Sequence, residues 1–208
     1  RSDFVEWLTS PAEIPGITKF GTLTPGSDSV YFSYHGRIAW QKGLDVFEKA
    51  AHIVLDHLDG ARFIILGQGD PVLEAMFVRL SQRYSGRLAY VRGYERTLAR
   101  EAVAISDFIV LPSLFEPCGL EDFIAQIFGT IPVAHAVGGL RKIENGKTGF
   151  LYETDGESAD AAALARSRLQ SRSARQRPQS APHARVIDIA RSWSRPARHR
   201  RCANSIAC

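Results

Sequence analysis

From Tyr31 onward, short apolar runs alternate with amphipathic stretches about every 12 to 15 residues, and nothing else in the chain constrains its fold as tightly. Residues 31–38 read as a strand. Residues 44–58 set Leu44, Phe47, Ala51, Val54, Leu55 and Leu58 along one helical face. Residues 62–66 form a continuous apolar strand stopped by Gly67 and Gly69, and residues 71–84 read as a helix. There Asp70 is the expected N-cap and Pro71 suits the first helical position. The alternation continues with a strand at 87–91, a helix at 97–105, a strand at 108–111, a helix at 120–128 ending at Gly129, and a strand at 131–134. Asn145-Gly146 then marks a turn between extended runs at 140–143 and 149–152. These strands are apolar throughout and do not alternate with polar residues. That predicts an α/β fold with a parallel sheet covered by helices on both faces. Ligands of such sheets bind at the carboxyl ends of the strands, so the loop after each strand is where chemistry is expected.

The margins of the chain read differently. Residues 1–29 have no sustained period and carry Pro11, Pro15, Gly16, Pro25 and Gly26, as expected of a lead-in segment or the remnant of an inter-domain connection. The opening Arg1-Ser2-Asp3-Phe4 has no Met and no charged-then-apolar leader, which reads as a piece of something longer. The compact domain is expected over residues 30–155. From residue 156 the composition breaks: residues 156–208 hold 11 Arg, no Lys and three acids. Residues 157–170 suit one Ala-rich helix. Residues 171–208, dominated by Arg, Ser, Ala and Pro, have too little apolar surface to order themselves. Two readings stand for this segment, a natural basic tail and the product of a reading-frame shift, and the abrupt change of style favours the second.

The same asymmetry disposes of one function class. The net charge of +4 and pI near 9.1 belong to the tail; residues 1–155 hold 15 basic and 19 acidic residues. A nucleic-acid partner is therefore not expected. No run of about 18 apolar residues occurs, so no membrane span is expected. Cys118, Cys202 and Cys208 make neither a disulfide framework nor a zinc pattern, which predicts a reduced, cytoplasmic setting.

Five strand-end loops carry candidate chemistry. In the first, His35-Gly36-Arg37-Ile38-Ala39-Trp40-Gln41-Lys42-Gly43, two cations sit where a strand feeds a helix. Arg37 and Lys42 there would neutralise a diphosphate and stabilise it as a leaving group; alone, so common a pair reads more readily as solvated surface charge. Gly36 and Gly43 allow close backbone approach. The second, Gly67-Gln68-Gly69-Asp70, offers amides to a nucleotide or simply turns and caps the next helix. The third, Gly93-Tyr94-Glu95, presents Tyr94 either for stacking on a base or for packing under a loop. The fourth, Pro112 to Leu120, holds Glu116 in a loop stiffened by two prolines and a glycine. Its carboxylate would accept hydrogen bonds from sugar hydroxyls, while the Gly119 and Leu120 amides would face phosphate. Cys118 reads as a small packing residue, since no His lies nearby in sequence. The fifth, Ala136-Val137-Gly138-Gly139-Leu140, frees the backbone for a ligand or marks a turn.

The order of these motifs carries a family resemblance. Arg37-x4-Lys42-Gly43, Leu66-Gly67-x-Gly69-Asp70, Gly93-Tyr94, Phe115-Glu116-Pro117-Cys118-Gly119-Leu120, Gly129-Thr130-Ile131-Pro132-Val133 and Gly138-Gly139-Leu140 occur in the sequence of the C-terminal domain that bacterial glycogen synthases share with plant starch synthases. The chain resembles that domain over residues 30–152. The resemblance implies the C-terminal Rossmann-like half of a two-domain GT-B fold. It implies transfer of glucose from ADP-glucose to the non-reducing end of an α-1,4-glucan with retention of configuration, in the cytoplasm or, in a plant, the plastid. It casts Arg37, Lys42 and Glu116 as catalytic, with Gly36, Gly67, Gly69, Tyr94, Cys118, Gly119, Leu120, Gly138 and Gly139 lining the donor site. It implies no metal and no cofactor besides the donor substrate. The acceptor groove would belong to an N-terminal domain outside these residues, leaving a catalytically incompetent nucleotide-sugar-binding fragment as the alternative, or an enzyme using another donor such as UDP-glucose. Four positions depart from the family. Glu121 and Asp122 replace Thr-Gln, Arg100 replaces a His, and Ile124 stands where related transferases place a second Glu for the ribose. Acids at 121 and 122 would repel a diphosphate unless they point away.

Overall fold

A computed structural model of the 208-residue chain describes residues 2–153. It comprises five helices and seven strands among the described residues: α1 (Ser2–Thr9), β1 (Thr18–Leu23), β2 (Val30–His35), α2 (Leu44–His57), β3 (Ala61–Gly67), α3 (Pro71–Arg83), β4 (Arg87–Arg92), α4 (Arg96–Ile105), β5 (Phe108–Leu111), α5 (Glu121–Ile127), β6 (Ile131–His135) and β7 (Phe150–Tyr152). The strands form one sheet in the order β1-β4-β3-β2-β5-β6-β7. All neighbours pair parallel except β1, which lies antiparallel on β4.

The apolar strands are buried on both faces, as their composition predicts. On one face Phe32, Phe63, Tyr90 and Val110 meet Leu44, Phe47, Ala51 and Leu55 of α2 and Leu73, Phe77 and Leu80 of α3. On the other, Tyr31, Ile64, Leu66 and Val91 pack on α1 and α4, and Ile109 and Ala134 pack on Ala125 of α5. Local signals set the boundaries. The Asp70 carboxylate accepts the Val72 and Leu73 amides at 2.9 and 3.2 Å, with Pro71 following it. Glu95 caps α4 by accepting the Leu98 amide at 2.6 Å. Gly129, at φ 79°, ends the turn after α5.

Two expectations require correction. Residues 2–29, read as an irregular lead-in, contribute α1 and β1 to the domain. Thr18 to Leu23 is an edge strand of mostly half-buried residues with Gly21 at φ 71°, so it lacks the apolar run that marks the inner strands. Residues 140–143, expected to be extended, lie mainly in a 3-10 turn, Gly138–Lys142. Burial of Leu140 and the reach of Lys142 back to the carbonyls of Cys118 and Gly119 require the chain to coil there. The turn at Asn145-Gly146 then leads into β7, which pairs parallel with β6. The proposed helix at 157–170 and the basic tail lie outside the described residues.

The strand order fixes where a ligand site belongs. The chain runs outward from β2 through β3 to β4, then crosses back to place β5 on the other side of β2. Connections leaving β2 and β5 therefore diverge, opening a crevice at their carboxyl ends. The loops beyond His35 and Leu111 flank that crevice.

Candidate functional site

The crevice holds a cleft of about 610 Å³, within the range of small-ligand sites. Arg37 and Lys42 line it from the segment after β2, Tyr94 from the loop after β4, Arg96 and Arg100 from α4, Glu116, Cys118, Gly119 and Leu120 from the loop after β5, and Glu121 from the start of α5. Of the candidates named from sequence, the structure brings Gly36, Arg37, Lys42, Tyr94, Glu116, Cys118, Gly119 and Leu120 to one cleft. Tyr94 is 69% exposed, so its ring is open to a planar ligand. Arg37 is exposed, and its backbone is fixed by the buried Tyr34 hydroxyl, which donates to the Arg37 carbonyl at 2.7 Å.

Gly67, Gly69, Gly138 and Gly139 lie elsewhere, and their geometry shows what they do for the fold. A Cβ on Gly67 would stand 1.9 Å from the Gly36 carbonyl oxygen, and one on Gly69 would stand 2.1 Å from that of Ile38. Cβ atoms on Gly138 and Gly139 would stand 2.1 and 2.2 Å from the carbonyl oxygens of Glu116 and Cys118. The loop after β3 thus packs backbone to backbone on the loop after β2, and the loop after β6 packs likewise on the loop after β5. Gly43, at φ 62°, makes a third such contact with Pro112. The glycines fasten the strand-end loops to one another.

Glu116 and Lys42 join the two sides of the crevice. Lys42 Nζ donates to Glu116 Oε2 at 2.7 Å, and the Ser113 hydroxyl donates to the same oxygen at 3.1 Å. Burial pushes the Glu116 carboxyl up. The hydrogen bond and charge of Lys42, helped by Ser113 and the Gly119 amide, outweigh that and hold it below the ordinary carboxylate range. Stability from this ionised group is present above the unfolded carboxylate pKa and is lost as pH falls through the depressed folded value.

The two acids that depart from the family pattern have separate fates. Asp122 points away from the cleft; it is buried, with Oδ1 3.1 Å from Lys142 Nζ. Glu121 lines the cleft, its Oε2 3.1 Å from His35 Nε2. The His35 hydrogen bond is the main reason the Glu121 carboxyl lies below its ordinary value; burial opposes it, and the charges of His35, Arg100 and Lys42 reinforce it.

Sequence reasoning did not single out Tyr34, Ser113, Lys142 or the His35–Glu121 pair. Lys142 donates to the carbonyls of Cys118 (2.8 Å) and Gly119 and lies 4.0 Å from the centre of the Phe123 ring, pinning the Glu116 loop from below. No sequence signal marks such a role, because it depends on two loops 20-odd residues apart meeting over the sheet. Among the described residues no group of three or more His, Cys, Asp or Glu could hold a metal ion, and no helix is long and apolar enough to cross a membrane.

A family model described as glycosyl transferases group 1 matches residues 29–170. Glycogen synthase of Pseudomonas fluorescens is 40% identical over 141 residues, which are 67% of this chain and 27% of that protein. Glycogen synthase of Xanthomonas campestris is 42% identical over 137 residues, 65% and 27% respectively. The chain thus spans about a quarter of the length of these curated relatives. Among solved structures, the catalytic domain of starch synthase IV from Arabidopsis thaliana, bound to ADP and acarbose, superposes with a TM-score of 0.62 at 23% identity, covering 92% of this chain and 37% of that one. The C-terminal domain of a group 1 glycosyl transferase from Francisella tularensis matches with a TM-score of 0.52 at 16% identity, covering 78% of this chain and 85% of that one. Both place the fold with the GT-B half expected from sequence.

Proposed function

The chain belongs to the glycosyl transferases of group 1, and on that premise we propose that residues 30–152 are the donor-binding part of a retaining, cytoplasmic glucosyltransferase that uses ADP-glucose to extend an α-1,4-glucan. The observation that carries the reading is the position of Arg37, Lys42, Tyr94 and Glu116 around one cleft at the sheet's switch point. Arg37 and Lys42 bind the diphosphate and stabilise it as it departs, doing electrostatically what a metal does elsewhere. Tyr94 stacks on the base. Glu116, ionised and anchored by Lys42 and Ser113, accepts hydrogen bonds from glucose hydroxyls beside the reacting carbon. Cys118, Gly119 and Leu120 line the sugar-phosphate pocket. Gly36 leaves room at the strand end, and Gly67, Gly69, Gly138 and Gly139 serve the donor by setting the loops that meet it.

Calorimetry with the purified 208-residue chain tests this directly. ADP should bind, and Arg37→Ala should weaken it by about 1.5–3 kcal/mol, the range for hydrogen bonds to charged groups. Unchanged affinity would remove Arg37 from the site. Tyr94→Ala should cost about 1–3 kcal/mol, as loss of base stacking does elsewhere. An equal loss for ADP and UDP would show that the ring does not select the base. The resemblance assigns the acceptor groove to another domain, so these 208 residues alone should not transfer glucose from ADP-glucose to glycogen. Radiolabelled glucose appearing in glycogen would contradict that expectation.

A further inference from the structure

We propose that Lys142, standing outside the cleft, is a positioning residue that aims and strengthens two amide donors inside it: Gly119's, toward Glu116, and Leu120's, toward the phosphate of the bound donor. This rests on the donor-site reading above. Lys142 Nζ donates to the Cys118 carbonyl at 2.8 Å and to the Gly119 carbonyl. It also lies 3.1 Å from Asp122 Oδ1 and 4.0 Å from the centre of the Phe123 ring. One ammonium therefore holds two successive carbonyls of the Glu116 loop and the first turn of α5 together. Lys142 does not line the cleft, whereas Cys118, Gly119 and Leu120 do.

Peptide geometry carries the effect from one side of the loop to the other. The Cys118 carbonyl and the Gly119 N–H belong to one planar unit, and the Gly119 carbonyl and the Leu120 N–H to the next. None of the described peptide bonds is cis, so each N–H points away from its own carbonyl. Drawing both carbonyls to Lys142 leaves both N–H groups directed away from it. The Gly119 amide there meets the Glu116 carboxylate. The Leu120 amide makes no hydrogen bond among the described residues, and Leu120 lines the cleft. A hydrogen bond accepted at the oxygen of a peptide unit polarises its N–H, and a charged donor does so more strongly than a neutral one. Asp122, only 1% exposed, matches the charge of the ammonium and fixes where it stands. Lys142 thus grips the oxygen ends of the two peptide units whose nitrogen ends serve the cleft.

The test pairs ADP calorimetry with amide NMR on the full 208-residue chain. Lys142→Met, similar in length but without charge or donors, should weaken ADP binding roughly threefold to tenfold, the worth of one hydrogen bond. Lys142→Arg, which keeps a cation and its donors, should restore most of the affinity. In the ligand-free chain the amide nitrogen resonances of Gly119 and Leu120 should move together in Lys142→Met, as units that have lost a hydrogen bond at their oxygen, and return in Lys142→Arg. Lys142→Met strands the buried Asp122, so the double variant Lys142→Met/Asp122→Asn removes both charges together. It should fold and keep the loss of affinity even if the single variant does not fold. Wild-type affinity in either folded variant overturns this inference and leaves the donor site standing. Lost affinity with the two amide resonances unmoved overturns it as well, since Lys142 would then act only on stability. Failure of the wild-type chain to bind ADP overturns the donor-site reading together with it.

Discussion

Lys42→Ala should weaken ADP binding by about 3 kcal/mol, the upper end of the range for a hydrogen bond to a charged group, and by more than Arg37→Ala. Arg37 is exposed, so its removal costs only its own contact with the diphosphate. Lys42 stands 2.7 Å from Glu116, with 23% and 21% of the two side chains exposed. Its removal takes away a phosphate cation and also strands a half-buried carboxylate, which then faces the incoming diphosphate as an uncompensated like charge. Burial, now opposed only by Ser113 and the Gly119 amide, should raise the Glu116 pKa relative to wild type. Calorimetry on wild type, Lys42→Ala, Glu116→Gln and the double variant separates the two effects. The double variant should recover part of the affinity lost in Lys42→Ala, and the recovery should shrink as pH falls and Glu116 protonates. Equal affinities for Lys42→Ala and the double variant would show that stranding Glu116 costs nothing. Unchanged affinity in Lys42→Ala would mean that Lys42 does not meet the diphosphate at all.

The legible part of this molecule is the part that repeats a physical pattern. Strands such as Phe108–Leu111 declare themselves because a strand covered on both faces must be apolar throughout, and the helix at Pro71 because Asp70 and Pro71 are chemically suited to start one. Thr18–Leu23 was not legible: an edge strand needs no apolar run, and its place beside β4 depends on an antiparallel pairing across some 70 residues. The same division holds in the site. Arg37, Lys42 and Glu116 stand out because charged groups in rigid strand-end loops are few. The partnership of Lys42 with Glu116, and of His35 with Glu121, comes from β5 returning to lie beside β2, which no local spacing records. Lys142 is the extreme case, a surface-type residue by sequence whose four partners all lie more than 18 residues upstream.

Gly138→Ala should destabilise the domain by about 2–5 kcal/mol. About 1–2 of that comes from a side chain held at positive φ and about 1–3 from overpacking. Gly138 adopts φ 46°, and its Cβ would stand 2.1 Å from the Glu116 carbonyl oxygen, a main-chain atom with no rotamer by which to withdraw. The Glu116 loop must therefore move. It is also held by the Gly139 amide, which donates to the Glu116 carbonyl at 2.8 Å, and by Lys142, so the movement breaks contacts beyond the clash itself. Gly16→Ala is the matched control. Gly16 also has positive φ, 76°, but a Cβ there meets nothing within 4 Å, so only the backbone cost of about 1–2 kcal/mol applies. Urea unfolding of the two variants isolates the contact, since the conformational cost is common to both. Equal destabilisation would show that the two loops are not tightly seated, and Gly138 would then be free to serve as a direct donor contact. The larger loss expected for Gly138→Ala should come with weaker binding of ADP-glucose than of ADP, because the displaced group is the carboxylate that meets the hexose. Arg37 lies on the other side of the crevice and stays where it is, while Lys42 loses its Glu116 anchor.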